Sequence, residues 1–357
     1  MSKYSFPFPS KNGKIQIVSS PKMLRIAING YGRIGRNLHR ILIGHPDIKV
    51  IAINGRTKSP EMRAHLLKYD SLHGVLNAEV KHTEDELIVN GEEVLLWGYP
   101  DPLTAPWGEY EIDVVISASG RARTREEADK FITAGAKKVL VSAPMKDDTP
   151  TFVFGVNDEG LTPEITIMNN ASCTTNSIAA PLKVLDEAIG IENVFITTIH
   201  AFTSSQNLLD NSGEDLRRAR SAFQNIIPTT SGAMKAIAKV LPALEGKIDG
   251  MAFRVPVPTG SVSDMRFVFK RETSREELND LMRAAAKTPR LKNILDVSDE
   301  ELVSMDFATN PHSAIIDAPS TKVIQGKYAQ MLSWYDNEWG YATRLKDFLE
   351  RLASFSK

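Results

Sequence analysis

Cys173 is the sole cysteine among 357 residues, and it lies in Ala171-Ser172-Cys173-Thr174-Thr175-Asn176, a run of small and hydroxylated side chains opening a helical pattern. A thiol attacks as its thiolate, and a helix N-terminus lowers the cost of that charge with its dipole and its N–H groups. Twenty-seven residues later, His200 closes the apolar, β-branched stretch Val194 to Ile199. A strand there would deliver an imidazole to a fixed place, so the two residues predict an activated Cys–His pair, a nucleophile with its base. A free cysteine is more commonly a small core residue; the polar flanks of Cys173 argue against an apolar pocket.

The elements that must position this pair begin at Leu24. Leu24 to Asn29 reads as an apolar strand, Gly30-Tyr31-Gly32-Arg33-Ile34-Gly35 follows, a helical stretch runs to Ile43, and Val50 to Asn54 makes a second strand. Gly30 and Gly32 permit a tight turn and a close approach of backbone to a pyrophosphate, and Gly35 lets helix and strand pack. The motif gains weight from its flanking strand and helix, and from a second strand ending about 20 residues on. An acid that takes the adenosine ribose hydroxyls is expected at that strand end, yet the sequence reads Asn54-Gly55-Arg56-Thr57-Lys58. Gly55 leaves room for a 2′-phosphate, and Arg56, Thr57 and Lys58 offer charge and donors for one. NADP is therefore the preferred cofactor, with NAD also open. The same residues would also make an ordinary solvated turn.

Further along come a hairpin at Asn90-Gly91, a buried strand Val114 to Ala118, a helix Thr124 to Thr133 and a strand Lys138 to Ser142. Gly120 follows the Val114 strand at the carboxyl edge, where cofactors lie in such sheets. After Cys173 the pattern changes. Gly250 to Val257, Ser261 to Arg271 and Tyr328 to Tyr335 read as antiparallel strands with one buried face, and Glu338 to Phe355 as an amphipathic helix. The fold class is α/β, a Rossmann-type dinucleotide-binding domain plus an α+β catalytic domain with a mixed or antiparallel sheet. The boundaries are 23–172 for the first, completed by the helix at 338–357, and 173–337 for the second.

Composition narrows the function classes. A net charge of −1 gives no footprint for nucleic acid or a membrane surface. A hydrophobic content of 42% supports a full core, and no apolar run approaches a membrane span. One cysteine excludes an internal disulfide and fits a reducing, cytoplasmic setting; no metal site is expected. Residues 1–22 carry four lysines, no acids and Pro7, Pro9 and Pro21, and read as a flexible extension; Met23 is a candidate translation start.

From Met23 onward the sequence resembles glyceraldehyde-3-phosphate dehydrogenase, through Ile28-Asn29-Gly30-Tyr31-Gly32-Arg33-Ile34-Gly35-Arg36, the Ala171 to Asn176 run and Trp334-Tyr335-Asp336-Asn337-Glu338-Trp339-Gly340-Tyr341. The resemblance implies phosphorylating oxidation of D-glyceraldehyde 3-phosphate by way of a thioester on Cys173, with His200 as general base. By motif match, Thr203 and Arg254 line the site of the substrate phosphate. Ser172, Thr174, Ser231 and Gly232 line that of inorganic phosphate, near a helix beginning around Gly232. Arg33 and Ile34 would offer backbone N–H groups to the pyrophosphate, Ser119 and Gly120 would line the cofactor, Asn337 would hold the carboxamide and Tyr341 would pack on the nicotinamide. The segment Thr203 to Ile227, with Arg217, Arg218 and Arg220, resembles the family's S-shaped subunit contact and implies a homotetramer; a solvated face or a docking patch for an acidic partner is the alternative.

Several departures from the family pattern carry information. Ser205 stands where many members have aspartate, and Asn211-Ser212 where NAD-specific members have Leu-Pro. NADP-using photosynthetic relatives place a serine there, near the 2′-phosphate and from a neighbouring subunit, so Ser212 and Gly55 agree on NADP. Ser117-Ala118 replaces the family's acidic start before Ser119. Two rival functions remain: an erythrose-4-phosphate dehydrogenase, against which Thr174 and Ser231-Gly232 argue, and a catalytically idle regulatory or scaffold relative.

Overall fold

A computed structural model describes residues 23–55, 59–213 and 215–355. Arg56, Thr57 and Lys58, and the extension 1–22, lie outside the described residues. The first sheet contains β1 (Leu24–Asn29) and β2 (Ile48–Asn54), with α1 (Arg33–Leu42) between them. After β2 come α2 (Pro60–Lys68) and a small separate ribbon of β3 (Tyr69–Asp70) and β4 (Gly74–Val75). The sheet continues with β5 (Val80–His82), β6 (Glu86–Val89), β7 (Glu92–Trp97), β8 (Val114–Ser117), β9 (Lys138–Val141) and β10 (Ile167–Asn169), and α3 (Arg125–Thr133) joins β8 to β9.

Its strand order is β10-β9-β8-β1-β2-β7-β6-β5. All neighbours from β10 to β7 are parallel, and β6 and β5 add an antiparallel edge. The parallel strands are apolar on both faces because helices cover both. The order reverses between β1 and β8, which is the crevice where ligands bind in such sheets. Asn90 and Gly91 both have positive φ, 51° and 84°, the geometry of the type I′ turn that joins β6 to β7. Thr124 and Glu127 form a capping box on α3.

The second sheet is built from β11 (Ile191–Ala201), β12 (Ile227–Thr229), β13 (Ile248–Val255), β14 (Ser261–Phe269), β15 (Leu295–Ser298), β16 (Ala314–Asp317), β17 (Lys322–Ile324) and β18 (Tyr328–Tyr335). The order is β12-β13-β11-β14-β18-β16-β15, with β17 on β18. The helices α4 (Cys173–Ala188), α5 (Ala233–Val240) and α6 (Arg275–Ala286) contribute to its core with Ile178, Leu182, Ile237 and Leu278. The antiparallel expectation holds for β14 against β11 and β18, and it fails for β13, which runs parallel to β11 from Val194↔Ile248 to Ala201↔Val255. Alternating burial reports which face is covered, not the direction of the neighbouring strand; α5 supplies the crossover that a parallel pair requires.

The last helix, α7 (Trp339–Ser354), leaves the second sheet and packs on α1. Tyr341, Leu345, Phe348 and Leu352 join the core formed by Ile26, Ile28 and Leu38. The chain end thus closes the first sheet's core. Asn337, just before α7, is thereby held at the junction of the two sheets.

Candidate active site

Ala171 enters α4 with φ 50°, a left-handed backbone that costs free energy in a residue other than glycine. Hydrogen bonds hold it: Ala171 N–H donates to Asn169 Oδ1, and Asn176 Nδ2 donates to Asn170 O and Ser172 O, each at 2.9 Å. Ser172 caps the helix by accepting from Thr175 N–H at 3.0 Å. The next residue is Cys173, so its Sγ starts the helix at the positive end of the dipole.

β11 brings His200 to the same point, with Nε2 3.4 Å from Sγ. The parallel register of β11 and β13 sets His200 opposite Arg254. Arg254 Nη1 lies 2.6 Å from His200 Nδ1 and donates to Ala201 O at 2.8 Å. Ala201 O is also 2.6 Å from Nδ1; a ring proton on Nδ1 donates to that carbonyl and leaves the Nε2 lone pair toward Sγ, whereas an Nδ1 that accepts from the Arg254 guanidinium carries the proton on Nε2. Tyr335, which the sequence reading left without a role, closes the site from β18: its hydroxyl is 3.0 Å from Thr174 Oγ1 and its ring packs edge-on to His200.

Burial and the Arg254 charge push His200 down to about 3, so the ring is neutral. Burial pushes the Cys173 thiol up, and the Arg254 guanidinium and the Thr174 N–H pull against it. At the thiol, desolvation works against the helix end and the neighbouring cation.

Arg254 also bears on anion binding. Its Nε is buried with no hydrogen-bond partner among the described residues, the kind of orphaned donor that an anion would satisfy. Arg218 is close enough to depress the Arg254 guanidinium electrostatically, after burial itself. Arg218 belongs to the segment expected to contact a neighbouring subunit, and no periodicity reveals its approach to Arg254. Thr203 Oγ1 is 2.9 Å from Ser205 Oγ, and Ser231 Oγ accepts from Ala233 N–H beside the first turn of α5.

The dinucleotide region is a cavity of about 880 Å³ at the reversal of strand order, lined by Gly30, Gly32, Arg33, Ile34, Gly55 and Ser119 among others. A Cβ on Gly30 would lie 2.5 Å from Ser119 N, and one on Gly35 2.2 Å from Gly30 O, whereas one on Gly32 would meet nothing within 4 Å. Gly30 and Gly35 therefore serve the packing of turn, strand and helix, and Gly32 keeps the cavity side open to a ligand. This cradle fits a dinucleotide pyrophosphate. The Arg33 side chain ion-pairs with Glu338 and Asp70.

Gly120, Ser212, Asn337 and Tyr341 are not among the residues lining that cavity. Tyr341 reaches the turn that enters α4, and Asn337 is linked through Ser261 to Ala201 beside His200. Ser261 donates to Asn337 Oδ1 at 3.0 Å and receives Ala201 N–H at 3.1 Å, which fixes the amide and turns its Nδ2 to be the donor. Tyr341 donates to Ala171 O at 3.1 Å, pinning the strained turn. Gly120 has φ 72° in the loop after β8. Ser212 is exposed on its own chain.

Residues 24–125 match the NAD binding domain of glyceraldehyde 3-phosphate dehydrogenase, and residues 172–337 match the C-terminal domain of that enzyme. The chain is similar to glyceraldehyde-3-phosphate dehydrogenase 2 of Bacillus subtilis, with 48% identity over 335 residues covering 94% of this chain and 98% of the relative. It is 50% identical to glyceraldehyde-3-phosphate dehydrogenase of Thermotoga maritima over 332 residues, 92% of this chain and 99% of the relative. Glyceraldehyde-3-phosphate dehydrogenase 3 of Saccharomyces cerevisiae is 42% identical over 332 residues, 93% and 99% of the two chains.

Proposed function

Because the chain belongs to the glyceraldehyde-3-phosphate dehydrogenase family of oxidoreductases, we propose that it converts D-glyceraldehyde 3-phosphate and inorganic phosphate reversibly to 1,3-bisphosphoglycerate, with NADP preferred over NAD. The observation that carries the reading is Cys173 Sγ 3.4 Å from His200 Nε2 at the start of α4, with Arg254 alongside. Nε2 takes the thiol proton as Sγ bonds to the aldehyde carbon, and returns it to the oxygen of the resulting hemithioacetal. A bound nicotinamide supplies the hydride acceptor. His200 removes the hydroxyl proton as the carbon–hydrogen electron pair departs, and a thioester remains on Cys173. A phosphate oxygen then attacks the thioester carbonyl, the carbon–sulfur bond breaks and the acyl phosphate leaves.

Arg254, Arg218 and Thr203 would hold the substrate phosphate. Thr174, Ser231 and Gly232 would hold the attacking one, with Ser172 supporting them as the helix cap. Asn337 would donate Nδ2 to the carboxamide, and Tyr341 would back the ring. Gly55 in place of an acid supports the 2′-phosphate, with Ser212 supplied from a neighbouring subunit. The test is turnover with and without inorganic phosphate, with both cofactors. Phosphate-independent turnover would favour an erythrose-4-phosphate dehydrogenase, and an inert Cys173 a non-catalytic relative.

The working unit in this reading is a homotetramer. Leu208, Leu209, Phe223, Ile226 and Leu216, the last 89% exposed, crowd one segment, and such an apolar surface is ordinarily covered by a partner. Analytical ultracentrifugation reads this; a monomer at micromolar concentration would refute it. A reducing, cytoplasmic setting accords with the single cysteine, and among the described residues no helix is long and apolar enough to cross a membrane.

A further inference from the structure

The turn at the end of β2 holds a glycine above a buried cation. Arg63, on α2, is only 6% exposed. Its Nη1 donates to Ile53 O at 3.1 Å and its Nη2 to Trp97 O at 3.0 Å, which fixes the guanidinium plane across the ends of β2 and β7. A Cβ placed on Gly55 would lie 2.9 Å from Nη2. Gly55 and Arg63 both line the cofactor cavity, together with Gly32 of the pyrophosphate turn and Arg36. The place where a dinucleotide fold ordinarily sets a carboxylate for the ribose hydroxyls is thus backed by a guanidinium.

We propose that Arg63 is the specificity-determining residue for the adenosine 2′ position, presenting its guanidinium to a 2′-phosphate. The inference rests on the NADP reading and deepens it. A guanidinium matches phosphate geometry, is weakly hydrated and always charged. Burial makes its interaction with an arriving anion stronger than at the surface, and the two carbonyls set its orientation before the ligand binds. Those same hydrogen bonds could serve only to clamp β2 to β7. A purely structural clamp, however, would affect all adenine nucleotides alike.

The experiment is calorimetric binding of adenosine 2′,5′-bisphosphate and of 5′-AMP to the full-length protein, wild type against Arg63→Gln and Arg63→Lys. Gln keeps amide donors for the carbonyls and removes the charge; Lys keeps the charge and removes the fork. The expected result is a wild-type preference for the bisphosphate that falls about tenfold or more in Arg63→Gln, the scale of a charge-assisted hydrogen bond. The 5′-AMP affinity should stay within about twofold, and Arg63→Lys should fall between. A preference unchanged in Arg63→Gln overturns the role of Arg63 while leaving the NADP reading intact. No preference in the wild type overturns both. Should Arg63→Gln not fold, a Lys variant equal to wild type overturns the proposal.

Discussion

Sγ of Cys173 and Nε2 of His200 face one another at 3.4 Å, although one begins a helix and the other nearly ends a strand of a different layer. Their meeting depends on two local commitments, the left-handed Ala171 that turns the chain into α4 and the β11 register that aims the imidazole. Burial favours the uncharged form of both groups, so attack by Sγ is expected to be coupled to proton transfer to Nε2. His200→Asn should lower kcat by about 10²- to 10⁴-fold and slow iodoacetamide labelling of Cys173 at pH 7. Stopped-flow turnover and mass-resolved alkylation check this; unchanged labelling would remove His200 from the role of base.

Arg254 touches the imidazole and belongs to the proposed substrate-phosphate site. Arg254→Leu removes a cation that pulls the thiol down against burial, so the midpoint of the alkylation rate against pH should move upward. KM for the triose phosphate should rise about tenfold or more, since a charged hydrogen bond to phosphate is lost. A variant with wild-type KM would exclude Arg254 from phosphate binding.

Gly55→Asp should move the ratio of catalytic efficiencies toward NAD. The new side chain would enter beside Nη2 of Arg63, place a carboxylate where the ribose hydroxyls are read, and repel a 2′-phosphate. Steady-state kinetics with both cofactors measures the ratio, and an unmoved ratio would discredit the role of the β2 turn.

Gly32→Ala and Gly35→Ala should separate binding from folding. A methyl at Gly32 meets no protein atom within 4 Å, so thermal stability should change little while dinucleotide affinity falls. At Gly35 the methyl would lie 2.2 Å from Gly30 O, and displacing that backbone should destabilise by about 1–3 kcal/mol. Differential scanning fluorimetry with cofactor titration distinguishes them; equal stability losses would contradict the assignment.

Arg33→Met should flatten the acid limb of stability. Burial works to raise Asp70 and Glu338, but hydrogen bonds from Arg33, with the Leu72 and His73 N–H on Asp70 and the His73 ring on Glu338, outweigh it and hold both carboxyls below their ordinary values. Depressed carboxyls contribute stability that is present above their unfolded values and is lost as pH falls through the folded ones. Acidifying the wild type from about pH 5 to pH 3 should therefore cost more stability than acidifying the variant. Urea unfolding across that range reads it, and parallel curves would reject the linkage.

Much of the frame was legible because it is local. The glycine turn after a short apolar strand, Asn90-Gly91 between alternating runs and the hydroxylated run that opens a helix at Cys173 all act within a few residues of themselves, as do the strand periods. Cys173 and His200 stood out by residue type and by their place at element ends. The parallel pairing of β13 with β11 was not legible, because an alternating pattern is the same for either direction of neighbour.

The sequence by itself determined the α/β series, the candidate nucleophile and base, and the absence of an acid at Gly55, since each follows from residue type and near neighbours. Only the tertiary structure decided what those residues face. Burial and the Arg254 cation act on Cys173 in opposite directions. Tyr335 and Ser261 become parts of the site through strand register, and Arg63 reaches the cavity because α2 packs its guanidinium under the ends of β2 and β7. Desolvation and proximity are properties of atoms far apart in the chain, and a one-dimensional pattern does not contain them.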